Sequence, residues 1–229
     1  MASKSRRSFL SNLGAAASAA GATLAVGSAS AHAQAPAPAD GHWQPARHPQ
    51  DDGMDQLPGK HRYFFDSTTP ERLEDAIQFT GNYYTASRGV YGLENADLAV
   101  IVGMRHRSAP FGFNDAMWAK YGVTLAKRAE FVDPKTKEAP KVNYFTPKAP
   151  AAPARPRSFA SLIALGVNFS LCNLSTRAIA GLIADATGQK TDEVYTEITA
   201  NLIDRARLVP AGIVAVNRAQ EKGYSVTGG

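Results

Sequence analysis

Leu98-Ala99-Val100-Ile101-Val102 is an unbroken apolar run that ends in Gly103-Met104-Arg105-His106. A run of this length without polar alternation suits a strand buried on both faces, as in a parallel sheet flanked by helices. Upstream, Arg62-Tyr63-Phe64-Phe65 reads as a second strand and Asp66-Ser67-Thr68 as the turn that leaves it. Thr69 then offers an N-cap, Pro70 occupies the first helical position, and Glu71 lies in the first turn beside the positive helix end. Leu73, Ala76, Ile77, Thr80 and Tyr84 recur at helical spacing and mark one face of that helix.

Downstream the same alternation continues. A short helix is predicted around 114–121, another over 158–165, and a strand over 167–172. Ser175 or Thr176 is the expected cap of a helix carrying Ile179, Leu182, Ile183 and Ala186, ended by Gly188. Thr191 is the expected cap of the next helix, whose apolar face is Val194, Ile198 and Leu202. The strand Arg207-Leu208-Val209 leads through Pro210-Ala211-Gly212 into a last helix that stops at Gly223, and Tyr224-Ser225-Val226 forms an edge strand. Strands alternating with helices define an α/β fold with a mainly parallel sheet of about five strands. Residues 61–229 form this domain. Within it, 122–157 reads as an insertion lying on the surface, because six prolines fall between Pro134 and Pro156 and exclude continuous helix or central strand. Residues 34–60 lack apolar periodicity and read as an irregular N-terminal segment outside the core.

Residues 1–33 carry a different message. Ser5-Arg6-Arg7-Ser8-Phe9-Leu10 is the pattern of a twin-arginine export signal. A weakly apolar Ala/Gly stretch, 13–26, follows. It is too short and too feebly apolar for a membrane span, which takes about 20 strongly apolar residues. Ala31-His32-Ala33 supplies a cleavage signature, so the mature chain is expected to begin near Gln34, in the periplasm, after passage through the twin-arginine translocase. No stable membrane anchor is expected. Cleavage removes Lys4, Arg6 and Arg7 from the 25 basic residues, leaving 22 against 20 acids, a net charge of about +2. With so little excess and no basic run interleaved with aromatics, nucleic-acid binding is disfavoured.

In open parallel sheets, ligands gather at the carboxyl ends of the strands. That rule assembles Asp66 and Ser67 from the first strand, Arg105 and His106 from the second, Cys172 and Asn173 from the third, and Pro210 to Gly212 from the fourth. Cys172 is the single cysteine, so no internal disulfide is available to an exported chain. Its position allows two roles: a small apolar residue closing a buried strand, or a thiolate favoured by a helix N-terminus. His42 and His48 have no partners at metal-ligand spacing, and neither a phosphate-binding glycine loop nor a Gly-x-Ser-x-Gly elbow follows any strand, so no cofactor or metal is called for. Trp43 is assigned to the N-terminal segment and Trp118 to the core.

The segment Asn168-Phe169-Ser170-Leu171-Cys172-Asn173, the following helix with Arg177 and Gly181, and the ending from Leu208-Val209-Pro210-Ala211-Gly212-Ile213 to Ala219-Gln220-Glu221-Lys222-Gly223-Tyr224 resemble the DsrE/DsrF-like family, associated with intracellular sulfur oxidation and sulfur relay. The likeness spans about residues 61–121 and 158–227. It implies a flavodoxin-like three-layer α/β/α domain that forms homo-oligomers. It also implies a cysteine at the end of the third strand that carries sulfur as a persulfide, and Cys172 occupies that position. The export signal and the 122–157 insertion depart from the compact cytoplasmic relay members. Two functions follow as expectations: sulfane-sulfur handling on Cys172, or a non-enzymatic module that binds a small ligand or assembles with itself.

Overall fold

The computed structural model describes residues 48–146 and 158–228. The export signal with its cleavage point near Ala33, His42, Trp43 and the proline-rich stretch 147–157 lie outside them. The elements run α1 (Asp52–Asp55), β1 (His61–Ser67), α2 (Pro70–Tyr91), β2 (Leu98–Met104), α3 (Asp115–Ala129), α4 (Phe159–Ala164), β3 (Asn168–Cys172), α5 (Asn173–Thr187), α6 (Thr191–Thr199), β4 (Ala206–Val209), α7 (Gly212–Glu221) and β5 (Ser225–Gly228).

The five strands form one all-parallel sheet in the order β4-β3-β2-β1-β5. Each step from β1 to β4 moves the same way across the sheet, and the step from β4 to β5 moves back past β1. A right-handed crossover must then place the first helices on one face and the last helix on the other. The packing follows this rule. Alternate strand residues Phe65, Val100, Val102, Phe169 and Leu171 join α2, α3, α5 and α6 in the larger core. Phe64, Ala99, Ile101 and Val209 meet Ala215 and Ala219 of α7 in the smaller one. The result is a three-layer α/β/α fold of flavodoxin-like architecture, with β2 buried along its whole length.

Local chemistry accounts for the helix starts. Thr69 Oγ1 accepts the Arg72 N–H at 3.2 Å, and Asn114 Oδ1 accepts from Ala116 and Met117. The apolar face of α2 is the one marked by its sequence spacing, with Leu73, Ala76, Ile77, Thr80 and Tyr84 all buried. Trp118 is fully buried and stacks on Phe111.

Three boundaries differ from the sequence reading. The helix read as ending near 121 continues to Ala129, because Leu125, Ala126 and Ala129 extend its apolar stripe; the insertion thus begins about eight residues later. Residues 130–146 do not simply lie on the surface. Phe131 and Phe145 pack on Phe111, Tyr144 packs on both of them, and the backbone of Pro140 passes so close to α3 that a Cβ on Gly122 would come within 2.4 Å of its carbonyl oxygen. Asn143 fastens this loop: it is 1% exposed, its Nδ2 donates to the carbonyls of Phe111 and Phe113, and its Oδ1 accepts from Phe145 N–H. Finally, residues 48–57 are not outside the core. Met54 is buried in the smaller core, Asp51 is ion-paired to Arg218, Lys222 reaches Asp55 at 2.9 Å, and Tyr224 Oη donates to the Met54 carbonyl at 2.8 Å.

Asn143→Ala strips two buried carbonyls of their donor and one amide of its acceptor. The expected cost is about 2–4 kcal/mol of unfolding free energy, read from urea denaturation.

Candidate functional site

Consecutive strands whose following helices lie on opposite faces open a crevice at their carboxyl ends. Here those strands are β3, followed by α5, and β4, followed by α7. Cys172 is the last residue of β3 and Val209, its register partner, the last of β4. The sole cysteine therefore sits at the point where the sheet changes the side of its helices.

No turn separates β3 from α5. The sequence suggested Ser175 or Thr176 as the cap, but the helix starts at Asn173 and Cys172 itself is the N-cap residue. Its sulfur replaces the usual oxygen and accepts the Ser175 N–H at 3.5 Å. Thr176 instead turns its hydroxyl back to the Cys172 carbonyl at 3.0 Å. The backbone amides of Leu174 and of Gly212, the first residue of α7, add to the effect that lowers the thiol's pKa. Two helix N-termini thus converge on one atom, and each presents free N–H groups.

The Ser175 hydroxyl has a defined direction. Its oxygen accepts the His106 N–H at 3.0 Å, which leaves its own hydrogen for the sulfur of Cys172. His106 presents that N–H from a left-handed backbone conformation, φ +55°, which non-glycine residues seldom adopt and which clusters at functional sites. Cys172 is only 6% exposed. Burial alone would push its thiol up, but the hydrogen bonds from Ser175, Gly212 and Leu174 outweigh it and hold the thiol below the range of an ordinary cysteine.

Arg105 and His106 thus reach the site without acting on the sulfur as cations. The Arg105 guanidinium grips the buried carboxylate of Asp66, with Nε at 3.1 Å from both oxygens and Nη2 at 2.7 Å from one. The stem of Arg105 lies over the start of α7, where a Cβ on Gly212 would meet Arg105 Cβ at 2.6 Å and Cδ at 2.7 Å. Only glycine fits there. Ser67 is fully buried and donates to the Gly103 carbonyl at 2.6 Å, so it braces the loop after β2 rather than facing the crevice. Asn173 accepts from Tyr195 Oη at 2.8 Å, linking α5 to α6. Leu174 in the first turn of α5 and Ile213 and Val214 in the first turn of α7 are exposed apolar side chains, Leu174 at 64% and Ile213 at 61%. Among the described residues no group of His, Cys, Asp and Glu is placed to hold a metal ion.

Ser175 as a partner of the sulfur was missed in the sequence, although its spacing three residues after Cys172 is the spacing of a capping pair. Gly212 was gathered with the fourth strand end, but its amide's aim at the sulfur depends on α7 crossing to the other face.

Comparison with protein-family models, with curated proteins and with solved structures returns no match. Fold and site together define an α/β domain of doubly wound type with a helix-capping thiol at its switch point.

Ser175→Ala removes the hydroxyl hydrogen bond but keeps the backbone amides. The thiol pKa is expected to rise and alkylation by iodoacetamide at neutral pH to slow several-fold, with the unfolding midpoint within the small range of a surface change. The pH profile of the alkylation rate measures it.

Proposed function

We propose that this protein is a sulfur carrier in which Cys172 accepts sulfane sulfur as a persulfide, outside the bacterial inner membrane. One observation carries the reading: the only thiol of the chain is held towards its thiolate by amides from two helix N-termini and a serine hydroxyl, in a crevice where no histidine or carboxylate is hydrogen-bonded to it. A hydrolase or transferase built on a cysteine needs a base or acid to move protons on the substrate. A carrier needs only a nucleophilic thiolate and donors that stabilise the same charge one atom further out.

The step balances without another reactant. The Cys172 thiolate attacks the outer sulfur of a hydropersulfide donor, the new S–S bond forms as the donor's S–S bond breaks, and the donor leaves as its thiolate. The persulfide proton passes to solvent, leaving a Cys172 persulfide anion facing the same amides. The low exposure of the sulfur, 6% for Cys172 as a whole, favours small linear donors. The resemblance to sulfur-relay proteins supports this chemistry, and the twin-arginine pattern at Arg6-Arg7 supports its location.

A second reading rests on the apolar side chains at the two helix starts. Exposed Leu174, Ile213 and Val214 favour an assembly module in which this edge meets another protein surface and Cys172 is only a cap.

The two readings separate in one experiment. Purified mature protein is incubated with inorganic polysulfide and analysed by intact mass and by peptide mapping. The carrier reading expects a gain of one sulfur atom on Cys172, reversed by cyanide and absent in Cys172→Ser. An unmodified Cys172 under excess polysulfide, with the same assembly state in Cys172→Ser, favours the module.

A further inference from the structure

The face of the sheet beneath α7 is roofed in two parts, by α7 and by the segment around α1. Between that segment and the β3–β4 edge lies a hollow of about 150 Å³. Met54, Ile101 and Val209 give it apolar walls, Gly53 is part of its roof, and its polar members are Ser170, Arg207 and Asn168, whose Nδ2 is spent on the Gly166 carbonyl at 3.2 Å. Of these only Val209 borders the Cys172 crevice, as that residue's register partner, and the hollow does not depend on the sulfur chemistry.

Ser170 and Arg207 take no part in the fold's own side-chain hydrogen bonds among the described residues. Ser170 is only 6% exposed, and its hydroxyl, engaged by no described residue, is left to the hollow. Arg207 is the direct register partner of Ser170 on the neighbouring strand, so their side chains stand side by side on one face. The stem of Arg207 lies along the roof, where a Cβ on Gly53 would come 3.2 Å from its Cδ. Its guanidinium has no ion-pair or hydrogen-bond partner among the described residues. By contrast, every other charge holding the roof is engaged: Asp51 with Arg218, and Asp55 with Lys222 at 2.9 Å. The Met54 carbonyl takes the Tyr224 hydroxyl at 2.8 Å, a phenol whose pKa burial pushes up to about 12. The roof is therefore latched, and the hollow is preformed rather than opened by a ligand.

From these observations we infer that the hollow is a binding site for a small organic carboxylate with an apolar body of about six carbons. The planar guanidinium of Arg207 takes the carboxylate at the mouth. The apolar body lies against Met54, Ile101 and Val209, and a hydroxyl or keto oxygen on the ligand meets Ser170. An inorganic oxyanion is a poorer fit, because one cation faces three apolar walls that would strip its hydration without replacing it.

Met54 reports on this site directly, while Met104 and Met117 lie in the core on the opposite face and serve as internal controls. Full-length mature protein labelled with ¹³C at methionine methyls is titrated with benzoate, 3-hydroxybenzoate and hexanoate, and separately with benzamide and inorganic phosphate. The expected result is a saturable shift of the Met54 methyl with at least one carboxylate, with Met104 and Met117 unmoved. Arg207→Gln, at an exposed position that leaves the fold intact, should weaken binding about tenfold or more. Ser170→Ala should weaken 3-hydroxybenzoate more than benzoate. Absence of a saturable Met54 shift with all three acids overturns the proposal. So does equal binding of benzamide, an unchanged affinity in Arg207→Gln, or displacement of the acids by phosphate.

Discussion

Handedness governs this molecule more than any single contact. A parallel strand pair joined through a helix closes right-handed, so the direction of travel across the sheet decides which face each helix covers. Three steps in one direction put α2, α3 and α5 on one side. One long step back, from β4 to β5, puts α7 on the other. In the usual flavodoxin-like strand order the reversal comes early and the crevice opens beside the first strand. Here it comes last, and the crevice opens between β3 and β4. The thiol's surroundings follow from that. The start of α5 is fixed by Cys172 itself, and the start of α7 reaches the same sulfur only because α7 approaches from the opposite face.

Much of this was legible in the chain. The apolar run 98–102 identified the central buried strand, and the Thr69-Pro70 start of α2 and the Gly188 end of α5 behave as capping chemistry requires. The rule that sites collect at strand ends brought Asp66, Arg105, His106 and Cys172 to one edge, where the structure also has them. Their division of labour was not legible. Arg105 was gathered at the strand ends, but Asp66, 39 residues away on another strand, takes its guanidinium. Ser175 looked like a cap, but a sulfur at the strand end made the cap one residue before the helix began.

The misplaced boundaries share a cause. Proline content marked 122–157 as irregular, and irregular was equated with superficial. A loop without secondary structure can still be buried when one side chain satisfies its backbone, which is what Asn143 does for Phe111, Phe113 and Phe145. Residues 48–57 have no periodicity for a similar reason. Besides the packing of Met54 on the sheet, they are held by charge pairs and a hydrogen bond whose partners lie near the far end of the chain: Arg218, Lys222 and Tyr224. Periodicity reports on neighbours a few residues apart and is silent about partners more than 160 residues away.

The way Cys172 is stabilised also determines its response to the medium. Lysine or arginine beside a thiolate would form an ion pair that dissolved salt weakens, since exposed charges are screened within about 10 Å at 0.1 M. The groups meeting this sulfur are peptide dipoles and a hydroxyl, locked into helix geometry and shielded from counterions by the fold. The reactivity of the thiol is therefore set by backbone placement and stays nearly constant across dilute and saline surroundings.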